Sequence, residues 1–412
     1  MEYSDLIFLF YTYVTLFITS LLFFIYLSNR NKLFKYPKSK IEPVSIIMPC
    51  YNEEKEIAKA LDSLINLNWP NDMLEIIVVD DKSSDNSVKI AKKYEKKYKF
   101  IKVIESKSNS GGAARPCNIG LEAANHNYVA ITDADSKPEK NILRKMIGFL
   151  QIEKNTAGVT CSVLVDKPPK TFIEKLQLIE YIVIAFSRKL LDFINAVYVT
   201  PGPFALYKKD KLIEAGKFDE KNMTQDIEIV WALRKIGYDV RMSLDAKVYT
   251  SAPKKLKVWW KQRNRWNIGG MQTLIKHKSQ IFKNNILGNF IIPFFSISLF
   301  IGIIGIILLI NNLINKLTSI YLTSKFNDIN AAKYLINSEI VSLPPLVLLY
   351  FSISLLSLGL FFTFFSISNM KELKLRFSES FTVLFYFLAY LSLYPFVILS
   401  SVYKFVRGNY TW

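Results

Sequence analysis

Histidine and cysteine are scarce in this chain of 412 residues. It contains two histidines, His126 and His277, and three cysteines, Cys50, Cys117 and Cys161, which lie far apart and form no Cys-x-x-Cys pair. The chain therefore has almost no histidines from which to build a histidine-based catalytic triad or metal site. A disulfide framework or a zinc site is also disfavoured, because both need paired or closely spaced cysteines. The chemistry of the chain has to use other side chains.

Acidic residues are also in short supply: 35 acids stand against 53 bases, which gives a net charge of +18. Such a balance is typical of proteins that bind nucleic acid or an anionic membrane surface. Many aromatic residues lie inside apolar runs rather than between the bases, where they would stack on nucleotides. The bases flank those runs and concentrate between Lys247 and Lys283. We therefore expect anionic membrane lipid, and not nucleic acid, as the partner of this charge.

Four long apolar runs predict four transmembrane helices. A helix needs about 20 residues to cross the hydrocarbon core of a bilayer. The first run could alternatively be a secretory signal peptide, but Glu2 and Asp5 precede it where a signal peptide carries bases, so a retained anchor is expected. The runs are Leu6 to Leu27, Phe290 to Ile310, Leu343 to Ile367 and Phe381 to Val402.

A cluster of bases follows the first run: Arg30, Lys32, Lys35, Lys38 and Lys40. Cytoplasmic loops carry an excess of Lys and Arg, so the following domain is predicted to be cytoplasmic and the N-terminus to lie outside the plasma membrane. The predicted division is an anchor with a basic linker (1–40), a cytoplasmic domain (41–252), an interfacial amphipathic segment (253–286) and three transmembrane helices (287–412).

Between residues 44 and 132, buried-strand patterns alternate with helical ones. Strands separated by helices predict an α/β fold built on a parallel sheet. Ligands bind such a sheet at the carboxyl ends of its strands, so the polar residues after each strand are candidate site residues. The predicted strands are Val44 to Pro49, Glu75 to Val79, Phe100 to Glu105 and Tyr128 to Thr132.

Acidic residues follow two of these strands. Asp80 and Asp81 follow the second, and Asp133 and Asp135 follow the fourth, one residue apart. Two carboxylates at that spacing can face one Mg²⁺ or Mn²⁺ ion, which prefers oxygen ligands. A solvated acidic turn, or a helix N-cap for each Asp, is the alternative that the spacing leaves open.

Four further segments complete the candidate site. Asn109 to Arg115 is a small-residue loop entering a helix, where Arg115 could contact a diphosphate or simply be solvated. Val199 to Phe204 places Gly202 between two prolines, and we expect the acceptor near it. Asp226 lies in the first turn of a predicted helix, a position that the helix dipole favours for structural reasons alone. Lys254 to Phe282 interleaves tryptophans with bases, as an interfacial helix does.

In chain order these motifs resemble those of membrane-integrated family-2 glycosyltransferases, the branch that includes poly-N-acetylglucosamine, chitin-oligosaccharide, cellulose and hyaluronan synthases. The resemblance covers roughly residues 44 to 270 plus the flanking runs, and four motifs in order are more specific than one. The residues that carry it are Asp81, Asp133-Ala134-Asp135, Thr224-Gln225-Asp226 and Gln262-Arg263-Asn264-Arg265-Trp266.

The resemblance implies a GT-A-type, Rossmann-like domain inserted between transmembrane helices, which uses a UDP-sugar and Mg²⁺ or Mn²⁺. It implies Asp226 as the general base and Asp133 with Asp135 as metal and diphosphate ligands. Tyr51, Glu53 and Asp81 would bind the nucleotide, with Arg115 as a further contact, and Gln262, Arg265 and Trp266 would bind diphosphate and acceptor. Two positions depart from the pattern: Gln225 replaces a usual Glu, and Gly112 replaces a frequent lysine.

The first activity that the resemblance implies is transfer of N-acetylglucosamine or glucose to a growing β-linked polysaccharide. This transfer would be coupled to translocation of the polymer across the membrane. Four transmembrane helices are few for a sealed sugar channel, so a homo-oligomer or an accessory membrane subunit is expected. The alternative is transfer of one sugar to a lipid acceptor, as ceramide glucosyltransferases do. A third possibility is a membrane scaffold without activity.

Overall fold

The computed structural model describes residues 3–166, 168–326, 345–370, 372, 377–408 and 410. The strands are β1 (Val44–Cys50), β2 (Leu74–Asp80), β3 (Ile101–Glu105), β4 (Tyr128–Ile131), β5 (Lys137–Pro138), β6 (Thr156–Val165), β7 (Ala205–Lys208) and β8 (Asp239–Thr250).

The helices up to the end of the sheet are α1 (Tyr3–Asn29), α2 (Ile57–Ile65), α3 (Ser87–Lys97), α4 (Ala114–Ala123), α5 (Ile142–Ile152), α6 (Phe172–Phe193), α7 (Lys209–Glu214) and α8 (Gln225–Lys235). They are followed by α9 (Leu256–His277), α10 (Ile292–Phe326), α11 (Pro345–Met370), α12 (Phe377–Phe385) and α13 (Tyr394–Val406).

The eight strands form one mixed sheet in the order β3-β2-β1-β4-β7-β6-β8-β5. Strands β1 to β4 pair in parallel, as the sequence predicts. Beyond the segment for which the sequence predicts parallel strands, the sheet becomes mixed, because β7 runs antiparallel to β4 and β6. The loop before β7 lies at the carboxyl end of β4, so the chain re-enters the sheet from that edge and must run in the opposite direction.

Helices cover both faces of the sheet, because side chains along a strand point alternately to its two sides. On β1, Ile47 joins the core cluster that contains residues of α4, α6 and α8. Its neighbours Ile46 and Met48 join the opposite cluster, which contains residues of α2 and α5. With both faces covered, the carboxyl edge is where a ligand can enter.

Among the residues that the structure describes, four helices are long and apolar enough to cross a membrane, which is the number that the sequence predicts. Leu343 and Pro344, at the start of the third predicted run, lie outside the described residues. The four candidate spans are Thr12–Lys32, Leu287–Gly305, Ile353–Met370 and Ser380–Val406.

Helix α6 joins the sheet to two of these apolar helices. The ring of Phe186 lies 6.1 Å from that of Tyr26 in α1 and 5.7 Å from that of Phe365 in α11. The Tyr26 hydroxyl also donates a hydrogen bond to Asn369 Oδ1 in α11 (3.1 Å). The sheet is therefore packed, through α6, directly on the apolar helices.

Helix α9 buries more of its side chains than its many basic residues would indicate. Trp259 is completely buried, and its ring lies 5.0 Å from Tyr390 and 5.7 Å from Tyr394. Trp259 therefore contributes to the packing of this helix on the protein. Its partners come from the last apolar segment, which the local sequence pattern does not contain.

Candidate active site

A cavity of about 750 Å³ opens at the carboxyl edge of the sheet. Nine of the ten residues predicted for the site line it: Tyr51, Glu53, Asp81, Asp133, Asp135, Asp226, Gln262, Arg265 and Trp266. They come from the ends of β1, β2 and β4 and from the helices α8 and α9. Residues more than two hundred positions apart in the chain thus share one space.

Arg115 is the predicted site residue that does not line the cavity. Its guanidinium donates a hydrogen bond to Ser108 Oγ (3.4 Å). Gly112, Ala113 and Pro116 face the cavity at the start of α4, and the intervening Arg115 points to another side of that first turn. Backbone at the helix start, rather than this arginine, borders the cavity there.

Asp81 holds the loop that precedes α4. One of its carboxylate oxygens, Oδ2, accepts hydrogen bonds from Ser110 N and Ser110 Oγ, both at 2.8 Å. The other oxygen, Oδ1, is buried and has no partner among the described residues. A buried acceptor without a donor costs about 1–3 kcal/mol, which a bound ligand with an N–H or O–H group would recover. This corner is suited to a polar heterocycle or ribose.

Asp133 and Asp135 lie close enough to affect each other's ionisation. Burial and then the charge of Asp135 raise the pKa of Asp133 to about 7. Burial raises the pKa of Asp135, although hydrogen bonds from Ser136 Oγ (3.1 Å) and Thr250 Oγ1 (3.2 Å) favour its ionised form. Burial and the same Asp135 charge raise the pKa of Glu53 to about 7. The cluster has excess negative charge that a cation would neutralise.

The donor set fits a hard divalent ion shared with a ligand. Within the described residues, no group of three or more His, Cys, Asp or Glu side chains is arranged to hold a metal unaided. Mg²⁺ commonly binds through one or two carboxylates and completes its shell with phosphate oxygens and water. Asp133 and Asp135 supply that number of carboxylates beside a cavity large enough for the ligand.

The loop between α6 and β7 lies directly over Asp133. A Cβ atom added to Gly202 would stand 2.9 Å from both carboxylate oxygens of Asp133, so only glycine fits there. Thr132 Oγ1 donates to Pro203 O (2.8 Å), which fixes the far side of the loop. The backbone N–H of Thr200 donates to Asp226 O (3.3 Å). One short loop therefore sets the positions of Asp133 and Asp226 together.

Asp226 begins α8, and its Oδ1 accepts a hydrogen bond from the N–H of Ile227 (3.1 Å). Burial raises the pKa of its carboxyl group, and the nearby Arg265 guanidinium opposes that shift. Arg265 acts in the same direction on Asp133. Arg265 is therefore a cation that lies near both carboxylates. A cation there can stabilise negative charge that develops during a reaction.

Arg263, which the sequence did not single out, holds the residues of α9 in place. Its guanidinium lies 3.8 Å from the centre of the Trp266 ring and donates to Gln262 Oε1 (2.8 Å). It also forms a buried ion pair with Glu180 of α6 (2.6 Å) and donates to the Tyr394 hydroxyl (2.9 Å). The two flanking cavity residues are thereby fixed to α6 and α13.

Comparison with known proteins agrees with this geometry. The profile of glycosyl transferase family 2 matches residues 45–216. This segment is a family-2 glycosyltransferase domain. It contains β1 to β4, both acidic motifs at the strand ends and the loop over Asp133.

Two relatives match over longer segments of the chain. The Probable glycosyltransferase YdaM of Bacillus subtilis is 30% identical over 257 residues, which cover 62% of this chain and 60% of that protein. The poly-beta-1,6-N-acetyl-D-glucosamine synthase of Staphylococcus epidermidis is 29% identical over 267 residues, 65% of this chain and 64% of that protein. The chain thus spans less than two thirds of the length of these relatives.

A solved structure shares the fold of the whole chain. The mannosyltransferase PcManGT from Pyrobaculum calidifontis, in complex with GDP-Man and Mn²⁺, matches 97% of this chain and 99% of its own with a TM-score of 0.57 at 16% identity. This likeness concerns fold alone. It confirms the prediction of a glycosyltransferase-type α/β domain placed between apolar helices.

Two adjacent glycines test how tightly α9 packs on the start of α8. A Cβ atom at Gly269 would lie 2.7 Å from Cβ of Thr224, two residues before Asp226, whereas one at Gly270 would meet nothing within 4 Å. Gly269→Ala should therefore displace the start of α8 and reduce turnover about 10²-fold, since small misplacements of a catalytic group are costly. Gly270→Ala should change turnover less than about twofold. Equal turnover in the two purified variants would contradict this packing.

The acid cluster of the family-2 domain also predicts a pH dependence. Glu53 and Asp133 have folded pKa values of about 7, above their values in an unfolded chain, so their contribution to stability is present at low pH and lost as the pH rises through 7. The ligand-free protein should melt roughly 2–5 °C lower at pH 8 than at pH 6. Mn²⁺ with UDP should raise the melting temperature more at pH 8 than at pH 6.

Thermal melting in detergent at both pH values checks this expectation. Asp133→Asn serves as the control, because it removes one of the two groups and should flatten the pH dependence. A melting temperature that rises from pH 6 to pH 8 in the ligand-free protein would count against the assigned ionisation.

Proposed function

We propose that this protein is an inverting glycosyltransferase that moves N-acetylglucosamine or glucose from a UDP-sugar to a hydroxyl group of an acceptor at the membrane. The observation that carries the proposal is the single cavity in which Asp226 lies with Asp133, Asp135 and Arg265. This arrangement supplies a base, a site for the diphosphate and a cation near both. Tyr51, Glu53 and Asp81 line the part of the cavity proposed for the nucleotide.

In the proposed reaction, Asp226 takes the proton of the acceptor hydroxyl as its oxygen attacks the anomeric carbon. The attack comes from the face opposite the diphosphate, so the configuration is inverted. The bond between the anomeric carbon and the diphosphate oxygen breaks, and UDP leaves with the electron pair. A positioned general base typically accelerates such a step by 10²–10⁴-fold. Arg265 neutralises part of the charge that develops on the leaving group.

Asp133 and Asp135 are the proposed ligands of Mg²⁺ or Mn²⁺. When bound, the ion would neutralise charge on the diphosphate. Trp266 lines the same cavity and is held by Arg263, so it offers a flat apolar surface on which the acceptor sugar can lie. Gln262 is proposed to contact the diphosphate or the acceptor from the same helix.

Repeated transfer into a β-linked polymer is the first form of this activity that we propose. The relatives named as poly-beta-1,6-N-acetyl-D-glucosamine synthases, 28–29% identical to this chain, support it. In this form the catalytic domain is cytoplasmic, the N-terminus is outside the plasma membrane, and the polymer leaves through the apolar helices. Self-association or an accessory membrane subunit would complete the path.

Transfer of a single sugar to a lipid acceptor is the second form. The arrangement of the cavity wall favours it: Tyr198 lines the cavity, and its ring lies 4.8 Å from that of Phe295 in α10. An acceptor that arrives through the membrane would therefore have a short distance to travel to Asp226.

Sizing the labelled product distinguishes the two forms. The purified full-length protein is incubated with each labelled UDP-sugar, Mg²⁺ or Mn²⁺, and a membrane extract as the source of acceptor. Polymer that grows with time supports repeated transfer, and one short glycolipid supports single transfer. If no UDP-sugar yields any labelled product, the proposed function is wrong.

A further inference from the structure

Arg188 is a buried cation to which the described residues offer no direct ion-pair or hydrogen-bond partner. Its side chain is 5% exposed, and its Nε has no hydrogen-bond partner. It forms neither an ion pair nor a hydrogen bond with any residue that the structure describes. The adjacent Lys189, equally buried, pairs with Asp192 at 2.7 Å. Because an uncompensated buried charge is costly, Arg188 requires an explanation that Lys189 does not.

The guanidinium faces the cavity of the active site. Arg188 lines it with Tyr181, Ile184 and Ala185, which occupy one face of α6 at helical spacing. Arg188 is among the groups that lower the pKa of Asp226, whereas it is not among the main influences on Asp133. The side chain therefore lies near the proposed base, in the same cavity.

The surroundings of Arg188 are apolar and continuous with the membrane helices. Val163, Ile184 and Val199 line the cavity with it. Tyr198, whose phenol influences the ionisation of Arg188, packs on Phe295 of α10. A ligand at this end of the cavity would meet one strong cation, apolar walls and the nearby apolar helices.

We propose that Arg188 binds a phosphoryl group of the acceptor, so that the acceptor is a sugar carried on a phosphorylated lipid. Guanidinium binds phosphate oxygens through two parallel hydrogen bonds, and the low-dielectric wall strengthens that attraction. The attacking hydroxyl of the sugar then lies by Asp226, while the apolar chain extends toward α10. This assignment rests on the transfer reaction proposed above and adds the chemical class of its acceptor.

A matched pair of acceptors tests the assignment with the full-length protein in nanodiscs. One acceptor carries its sugar on a polyprenyl diphosphate, and the other carries the same sugar on a neutral alkyl glycoside. The wild type should use the first with a kcat/KM at least about tenfold higher, and Arg188→Gln should bring the ratio of the two values toward one. Equal use by the wild type, or an undiminished ratio in the variant, would overturn the assignment.

Two further arms separate the other sources of phosphate. If the affinity for UDP falls in Arg188→Gln by the same factor as acceptor use, Arg188 serves the donor diphosphate and the assignment is wrong. If inorganic phosphate at a concentration no higher than that of the lipid acceptor abolishes the preference, the site binds free phosphate in preference to a lipid headgroup, which is equally fatal to it. Transfer to neither acceptor, while labelled product still forms from the UDP-sugar and the membrane extract, would overturn this assignment and leave the proposed function standing; the absence of any labelled product would overturn both.

Stability distinguishes a binding arginine from a structural one. Arg188→Met removes an unpaired buried charge and should raise the melting temperature by about 2–4 °C while acceptor use falls. Lys189→Met is the matched control on the same helix: it breaks a buried pair and should lower the melting temperature. A lower melting temperature for Arg188→Met would show that the arginine serves the fold, and the assignment would fail.

Discussion

Asp226→Asn is expected to reduce sugar transfer by about 10²–10⁴-fold, the range over which a general base contributes. The amide is nearly the same size and can still accept the hydrogen bond from the N–H of Ile227, so α8 should keep its start. What it cannot do is take the proton from the acceptor hydroxyl. Affinity for UDP should persist, because the residues proposed for the nucleotide lie on β1 and β2. Product formation under single-turnover conditions, together with UDP binding by calorimetry, measures both.

A matched control is available on the neighbouring helix. Asp210 lies in the first turn of α7, as Asp226 does in α8, but its side chain is 69% exposed. Asp210→Asn removes the same favourable charge from a helix start and should leave turnover within about twofold. Turnover of Asp226→Asn within twofold of the wild type would mean that another group takes the proton.

Arg263→Met is the second substitution expected to have a large effect. It leaves the Glu180 carboxylate buried without its cation, a loss that usually costs about 3–5 kcal/mol of stability. It also frees Gln262 and Trp266, both of which line the cavity. We therefore expect a lower melting temperature and a higher KM for the acceptor. Lys261→Met, an exposed cation on the same helix, should change neither.

The double variant Glu180→Gln with Arg263→Met separates the two consequences. Neutralising both partners removes the unpaired charge, so much of the lost stability should return. Acceptor use should not return, because the Trp266 ring still lacks the guanidinium against which it stacks. Recovery of activity together with stability would show that Arg263 has no positioning role.

Much of the sheet could be predicted because its strands are buried runs that end in polar residues. This pattern located β1 to β4 and the acids beyond them, and order along the chain then connected Asp81, Asp133 and Asp226. It could not locate β7, whose four residues take their direction from the preceding loop. Nor could it show that Gly202 covers Asp133, since this contact joins two segments distant in sequence.

The burial of Arg188 and Arg263 could not be predicted from the sequence for a different reason. An arginine in a helix is usually solvated, and nothing in the local sequence separates Arg188 or Arg263 from that case. For Arg188 a faint signal existed, because it follows Tyr181, Ile184 and Ala185 at the spacing of one helical face. For Arg263 the partners are Glu180 and Tyr394, each many residues away, and only the packing of α6, α9 and α13 brings them together.

Glu180 accepts hydrogen bonds from both Tyr390 and Tyr394 as well as from Arg263. A change in the tilt of the last apolar segment would therefore displace Arg263, the residue that holds Trp266. Hydrophobic mismatch changes the tilt of such segments at a modest energetic cost. The reaction rate should consequently depend on the acyl chain length of the surrounding lipid. Measured in bilayers of phosphatidylcholine with increasing acyl chain length, the rate should pass through an optimum.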